Sequence, residues 1–219
     1  KIIDAIETVF EKSKGLNKFK ELYGSGRTDA GVHALEQVAH LECETMLGPE
    51  IIKMKLNDVL PSDINILEVE KTTNRFHARH SAEARQYVYV ISKRRTAFEK
   101  RFVWWVKDRL NVKNMADSGK HFIGMHDFRS FCEKTDEEKS TKVRVENFDV
   151  TEDADKVYIR IKSSHFLWKM VRRLVGVLVE VGRGNLNGDD VKRYLQIYTD
   201  ELAVYTAPPS GLFLEKVFY

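Results

Sequence analysis

The sequence predicts an α+β chain, on three observations. Apolar residues recur at helical spacing in separate stretches, as in Ile2, Ile3, Ile6, Val9 and Phe10, and again in Phe166, Leu167, Met170, Val171, Leu174, Leu178 and Val181. Between these stretches, β-branched, aromatic or alternating runs at 85–91, 143–150 and 156–162 read as strands. The chain has 219 residues, 42% of them hydrophobic, which is enough to fill a proper core.

Taken in order, the first helix opens at Ile2 and closes around Gly15. A strand through Phe19, Leu22 and Tyr23 leads into a glycine-rich loop, and a second strand leaves it at 38–41. A helix follows at 49–60, with Pro49 in its first turn and Pro61 at its end. Residues 64–69 read as a strand. The order helix–strand–strand–helix–strand is that of a ferredoxin-like unit without its first strand. The boundary between halves is expected near 75–80, giving 1–78 and 79–219, with no low-complexity linker between them.

In the second half, 85–91 is a strand, and 93–113 interleaves Lys93, Arg94, Arg95, Lys100 and Arg101 with Phe98, Phe102, Trp104 and Trp105. Such a mixture suits phosphate contact and base stacking, although a solvated face over an ordinary aromatic core has the same composition. A helix is expected at 115–122, a polar–aromatic loop at 126–131 and a charged, exposed turn at 133–142. Residues 143–150 and 156–162 form a hairpin. The helix at 166–181 carries the clearest apolar stripe. Lys169, Arg172, Arg173, Gly176 and Glu180 gather on its other side, and Gly182 and Gly184 close it. Lys169 and Arg173 read as RNA-facing or solvated. A last helix at 189–198 and a strand at 212–219 complete the chain.

Composition narrows the function classes. With 36 Lys+Arg against 33 Asp+Glu the net charge is +3, which neither demands nor excludes nucleic acid. Cys43 and Cys132 are far apart and form no metal knuckle or disulfide framework, so buried thiols in a reducing compartment are expected. No apolar run approaches membrane-spanning length, and the reading is a soluble, cytoplasmic protein without a metal or cofactor. Lys1 opens the chain where a methionine would stand, which points to residues upstream.

The chemistry concentrates in Gly24-Ser25-Gly26-Arg27-Thr28-Asp29-Ala30-Gly31-Val32-His33-Ala34. Glycines let this segment turn tightly and let a ligand approach, and loops on rigid scaffolds are where reactive groups are held. A carboxylate beside an arginine stays ionised at neutral pH. A structural turn with a local ion pair would account for an arbitrary Arg-Thr-Asp. Here the segment from Gly26 to Ala34 resembles, almost residue for residue, the active-site motif of the TruA-type tRNA pseudouridine synthases. Phe76-His77-Ala78-Arg79 with Ser81-Ala82, Arg85, Tyr87 and Tyr89 is similar to the family's second motif. Phe166-Leu167, Met170-Val171-Arg172 and Val175-Gly176 resemble the third, and Ala207-Pro208 with Gly211-Leu212 the closing turn and strand.

The resemblance covers essentially the whole chain. It implies two ferredoxin-like (RRM-like) halves joined into one mostly antiparallel sheet with helices on one face, the first strand of the N-terminal half missing here. It implies a homodimer and a cleft for the anticodon stem-loop of tRNA. Asp29 matches the catalytic aspartate, Arg172 the arginine that pairs with it, and Tyr87 the active-site tyrosine against the uracil. Arg27 matches an arginine proposed to help extrude the base, and with His33 and Arg79 it is assigned to substrate binding. Three roles are open to Asp29: attack on the sugar, addition to the base, or removal of a ribose proton. A non-catalytic RNA-binding module of the same fold is the alternative, and a metal- or histidine-dependent ribonuclease comes third.

Overall fold

The computed structural model describes residues 1–133 and 140–219, so most of the charged turn expected at 133–142 lies outside the described residues. In chain order the elements are α1 (Ile2–Lys12), β1 (Lys18–Gly24), β2 (His33–Ala34), β3 (Ala39–Glu44), α2 (Pro49–Val59), β4 (Ala84–Ser92) and β5 (Trp104–Trp105). They continue with α3 (Val112–Gly119), β6 (Gly124–Asp127), β7 (Lys142–Glu152), β8 (Lys156–Ser163), α4 (Met170–Arg183), α5 (Gly188–Gln196) and β9 (Leu212–Phe218). Short 3-10 turns at Lys120–Phe122, Arg129–Phe131, Glu201–Tyr205 and Pro209–Gly211 link the later elements.

The chain divides into two compact units. The first is Lys1–Gly26 with Val38–Ser81; the second is Arg27–Gln37 with Ala82–Tyr219. The Arg27–Gln37 part of the glycine-rich loop therefore groups with the later residues, while Gly24–Gly26 group with the first unit. The reason is a ladder: β2, inside the loop, pairs in parallel with β9, and Leu35 N–H donates to the Leu214 carbonyl at 2.8 Å.

In the first unit β1 and β3 pair antiparallel, and α1 and α2 pack through Ala5, Ile6, Val9, Phe10, Ile52, Leu56 and Leu60. The strand expected at 64–69 does not form. The Asn57 side chain takes both backbone groups of Ile66, accepting its N–H at 2.7 Å and donating to its carbonyl at 2.9 Å. With those groups occupied, Ile66 has nothing left to offer a ladder. Ladder pairing among the described residues also differs from the single sheet expected: β1 and β3 form a two-stranded sheet of their own.

The second unit is built on a seven-stranded sheet in the order β2-β9-β4-β8-β7-β6, with β5 paired to β4. All of its ladders are antiparallel except β2–β9 and β4–β5. β8 shows how one face is buried. Val157, Ile159, Ile161 and Ser163 are inside, while Lys156, Tyr158, Arg160 and Lys162 alternate outward. The inner residues share a core with Tyr89, Ile91, Val143 and Val145 of the sheet and with Met170, Leu174, Val177, Leu178 and Val181 of α4. β6 occupies part of what the sequence marked as a loop at 126–131, because Gly124–Asp127 pairs with Val145–Lys142.

The helix expected at 166–181 begins four residues later. Lys169 sits at φ 59°, the left-handed region, so Trp168 and Lys169 form a turn closed by the Met170 N–H on the Leu167 carbonyl at 3.1 Å, and α4 starts at Met170. Gly184 (φ 83°) ends the helix, its N–H reaching the carbonyls of Glu180 and Val181. Gly182 does not close it but lies inside it. Arg173, expected to be solvated, is buried: its guanidinium donates to the Cys132 carbonyl and to Glu133, with Nη2 2.8 Å from the carboxylate. Lys169 reaches the same carboxylate at 3.1 Å, and together the two cations hold Glu133 below its usual range.

Tyr89 is fully buried and donates to the Pro208 carbonyl at 2.8 Å. Burial pushes its phenol, and that of Tyr87, above the ordinary value. A folded-state value raised above the unfolded one means that the unfolded chain releases the proton first. Stability is then intact below about pH 10 and falls above it, by up to about 1.4 kcal/mol per pH unit for each group. Urea midpoints between pH 8 and pH 11 should show this decline, and Tyr89→Phe should flatten it. An equal slope in the variant would rule Tyr89 out as a source.

Candidate active site

Asp29 lies on the loop four residues before His33, where β2 begins. Its carbonyl accepts the Val32 N–H at 3.0 Å, and Gly31 (φ 80°) completes the turn against the Pro209 ring. Only glycine adopts that backbone geometry without strain. The Asp29 carboxylate is 3.2 Å from Nη1 of Arg172, with side-chain exposures of 30% and 14%. The pair is thus shielded from bulk water yet open on the carboxylate's side.

Arg172 is anchored at a second point. Its Nε donates to the Ala207 carbonyl at 2.7 Å, and the Ala207 N–H returns a bond of 3.0 Å to the Arg172 carbonyl. The guanidinium therefore spans two fixed acceptors in one plane, which an ammonium at the end of a flexible stem does not reproduce. Arg172→Lys is expected to lower turnover about 10- to 100-fold, the scale of one charge-assisted hydrogen bond, with less effect on the affinity for RNA. Turnover within twofold of the unmodified chain would show that the second contact is dispensable.

Tyr87 stands on β4 opposite Leu214 of β9, which in turn lies opposite Ala34 of β2. The loop and the tyrosine are thereby placed by one row of three strands. Phe166 meets the Tyr87 ring edge-on at 5.0 Å. Burial raises the Tyr87 phenol, with Arg85 acting against that shift and Asp29 adding to it. The hydroxyl is accordingly a proton carrier at neutral pH. Beside it the β4–β9 register slips between Gln86 and Tyr87, leaving Glu215 as an extra residue. Glu215 accepts from Gln86 at 2.8 Å and from Arg160 at 3.0 Å. Bulges of this kind re-aim neighbouring side chains.

The structure thus brings Asp29 and Arg172 into contact and sets Tyr87 two strands from the loop. Arg27 is exposed. His33 is engaged elsewhere: Nε2 donates to the Arg101 carbonyl at 2.7 Å, and the ring lies against Phe102 and Phe213, both at 4.9 Å. Arg79 belongs to the first unit, where its N–H donates to Nδ1 of His77. His77 packs there against His40 and His80. Among the described residues no group of three or more His, Cys, Asp or Glu is arranged to hold a metal ion. Sequence reasoning missed the Ala207 clamp, since a backbone carbonyl leaves no mark in a sequence. It also missed the left-handed Lys169, where the usual signal would have been a glycine.

The family model described as tRNA pseudouridine synthase matches residues 119–219, and one described as an uncharacterized protein conserved in bacteria matches residues 13–160. A tRNA pseudouridine synthase A 2 of Bacillus cereus is 39% identical over 97% of this chain and 86% of its own length. The tRNA pseudouridine synthase A of Bacillus subtilis is 38% identical over 93% of this chain and 85% of its own, and that of Exiguobacterium sibiricum 34% over 98% and 87%. The chain belongs to the tRNA pseudouridine synthase A family. The match spans both units, so the loop carrying Asp29 and the α4 start carrying Arg172 fall within the region shared with these enzymes.

Proposed function

We propose that this chain is a tRNA pseudouridine synthase acting on uridines of the anticodon stem-loop, with Asp29 as its nucleophile. The contact between Asp29 and Arg172 carries the reading, because it presents a carboxylate, half-shielded and held by a guanidinium, in a chain whose relatives bear this enzyme's name. The reaction breaks the uridine N1–C1′ bond and forms C5–C1′. A proton leaves C5 and one is taken up at N1, and nothing is oxidised or hydrolysed.

A paired or stacked uridine must first leave its stack. In this reading exposed Arg27 fills the vacated space or holds a phosphate, and His33 and Arg79 contribute RNA contacts. Tyr87 walls the uracil, and its hydroxyl assists the proton transfer at C5. Two ferredoxin-like halves, at 1–78 and 79–219, and a homodimer working in the cytoplasm complete the proposal by resemblance to the family.

The test is tritium release from tRNA labelled at uracil C5. Release should be accompanied by pseudouridine in the digested product. Tyr87→Phe preserves the ring and removes the hydroxyl, so turnover is expected to fall about 100-fold or more with tRNA affinity retained, the scale of positioned proton transfer. If the phenylalanine variant turns over like the unmodified chain, the hydroxyl has no chemical role. Tight tRNA binding with no release at all would favour a non-catalytic RNA-binding module.

A further inference from the structure

The segment 94–105 leaves β4 and returns as β5, and apart from Trp104, which packs against the core beside Tyr89, its aromatic side chains are exposed. Phe98 is 97% exposed, Phe102 47% and Trp105 40%, whereas Val103 and Val106 on the same stretch are buried. The backbone beneath the aromatics is firmly held. Phe102 N–H donates to the Glu99 carbonyl at 2.7 Å, Ser210 Oγ to the Val103 carbonyl at 3.2 Å, and Ser92 Oγ to the Arg94 carbonyl at 2.6 Å. Apolar surface displayed on a tethered segment marks an interaction site.

The charge of the segment identifies the partner. Arg94, Arg95, Lys100 and Arg101 stand against one carboxylate, Glu99. Glu99 is bound by Lys156 and Arg94 by Asp155. Arg95, Lys100 and Arg101 are exposed, and among the described residues they have no ion-pair partner; the Arg95 guanidinium lies 5.7 Å from the Trp105 ring centroid. Exposed cations interleaved with exposed rings bind a polyanion that also offers flat apolar faces, and single-stranded RNA has both. An apolar protein surface would match the rings but leave these cations without counter-charge.

The segment is also joined to the catalytic loop. His33 meets Phe102 ring to ring and donates to the Arg101 carbonyl, and it lies four residues beyond Asp29. We propose that Phe98, Phe102 and Trp105, with Arg95, Lys100 and Arg101, form a stacking platform for the unpaired nucleotides flanking the uridine brought to Asp29. The inference rests on the tRNA synthase reading and extends it to how the strand is held.

The experiment measures tRNA binding across a salt series, together with kcat and KM, for the unmodified chain, Phe98→Ala and Lys100→Ala/Arg101→Ala. Phe98→Ala is expected to weaken binding about 5- to 100-fold, the scale of one lost base stack, with the salt slope unchanged. The double variant should reduce the slope by about 1.4, corresponding to two single-strand phosphates. In both, the loss should fall on KM rather than on turnover at saturating tRNA. Binding and slopes equal to those of the unmodified chain would overturn the proposal. So would a shift to smaller species in sedimentation by Phe98→Ala with tRNA affinity retained, since the rings would then belong to a contact between copies. If the unmodified chain binds tRNA but makes no pseudouridine while the variants still weaken binding, the platform stands and the catalytic reading falls.

Discussion

Asp29→Asn should abolish tritium release from C5-labelled tRNA, lowering turnover by at least about 10³-fold while tRNA binding stays within a few-fold of the unmodified chain. The substitution keeps the size of the side chain and one oxygen for Arg172, so the loop has no reason to rearrange. What it removes is the negative charge that a nucleophilic carboxylate supplies. Arg172 retains its bond to the Ala207 carbonyl, and Asp29 is itself 30% exposed, so the folded state should lose about 1 kcal/mol or less. A combination of intact binding, near-intact melting and absent turnover separates a chemical role from a structural one. Turnover by the asparagine variant within tenfold of the unmodified chain would remove Asp29 from the mechanism.

Gly176→Ala should be the most destabilising of the small substitutions, for a reason that also reaches the site. A Cβ at Gly176 would lie 1.5 Å from the Tyr205 carbonyl oxygen and 2.6 Å from its carbon. The obstacle is backbone and cannot rotate aside, so α4 and the Glu201–Tyr205 turn must separate. Overpacking ordinarily costs about 1–3 kcal/mol, and contact with backbone puts this case at or above the upper end. For a chain of this size about 3 kcal/mol corresponds to a melting point lower by roughly 6–12 °C. Tyr205 is two residues from Ala207, whose carbonyl holds Arg172, so turnover should fall along with stability. Gly184→Ala makes the comparison: nothing lies within 4 Å of its Cβ, and only the φ of +83° is at stake, a cost of about 1 kcal/mol. Equal melting points for the two variants would mean that α4 can move away from the turn freely.

Much of this protein was determined by the sequence alone, wherever the information is local. Helices α1, α2 and α5, the β7–β8 hairpin and the strands β1, β3, β4 and β9 follow from hydrophobic period, proline placement and β-branched runs. The loop with Asp29 was legible because reactive groups and turn-forming glycines occur together in it. Other features were decided only by the tertiary structure. The Arg27–Gln37 part of the loop groups with residues 82–219 because β2 finds its partner in β9, about 180 residues away, and no local pattern encodes such a pairing. Residues 64–69 carry a strand's composition, but the Asn57 side chain took the backbone groups that a ladder needs. α4 begins at Met170 because the left-handed Lys169 breaks the helical path, although the apolar stripe runs on through Phe166. Arg172 and Arg173 are consecutive on α4 and so point about 100° apart, Arg172 to Asp29 and Ala207, and Arg173 to Cys132 and Glu133. Sequence marks which residues carry charge; which carboxylate each one meets is set by contacts between segments far apart in the chain.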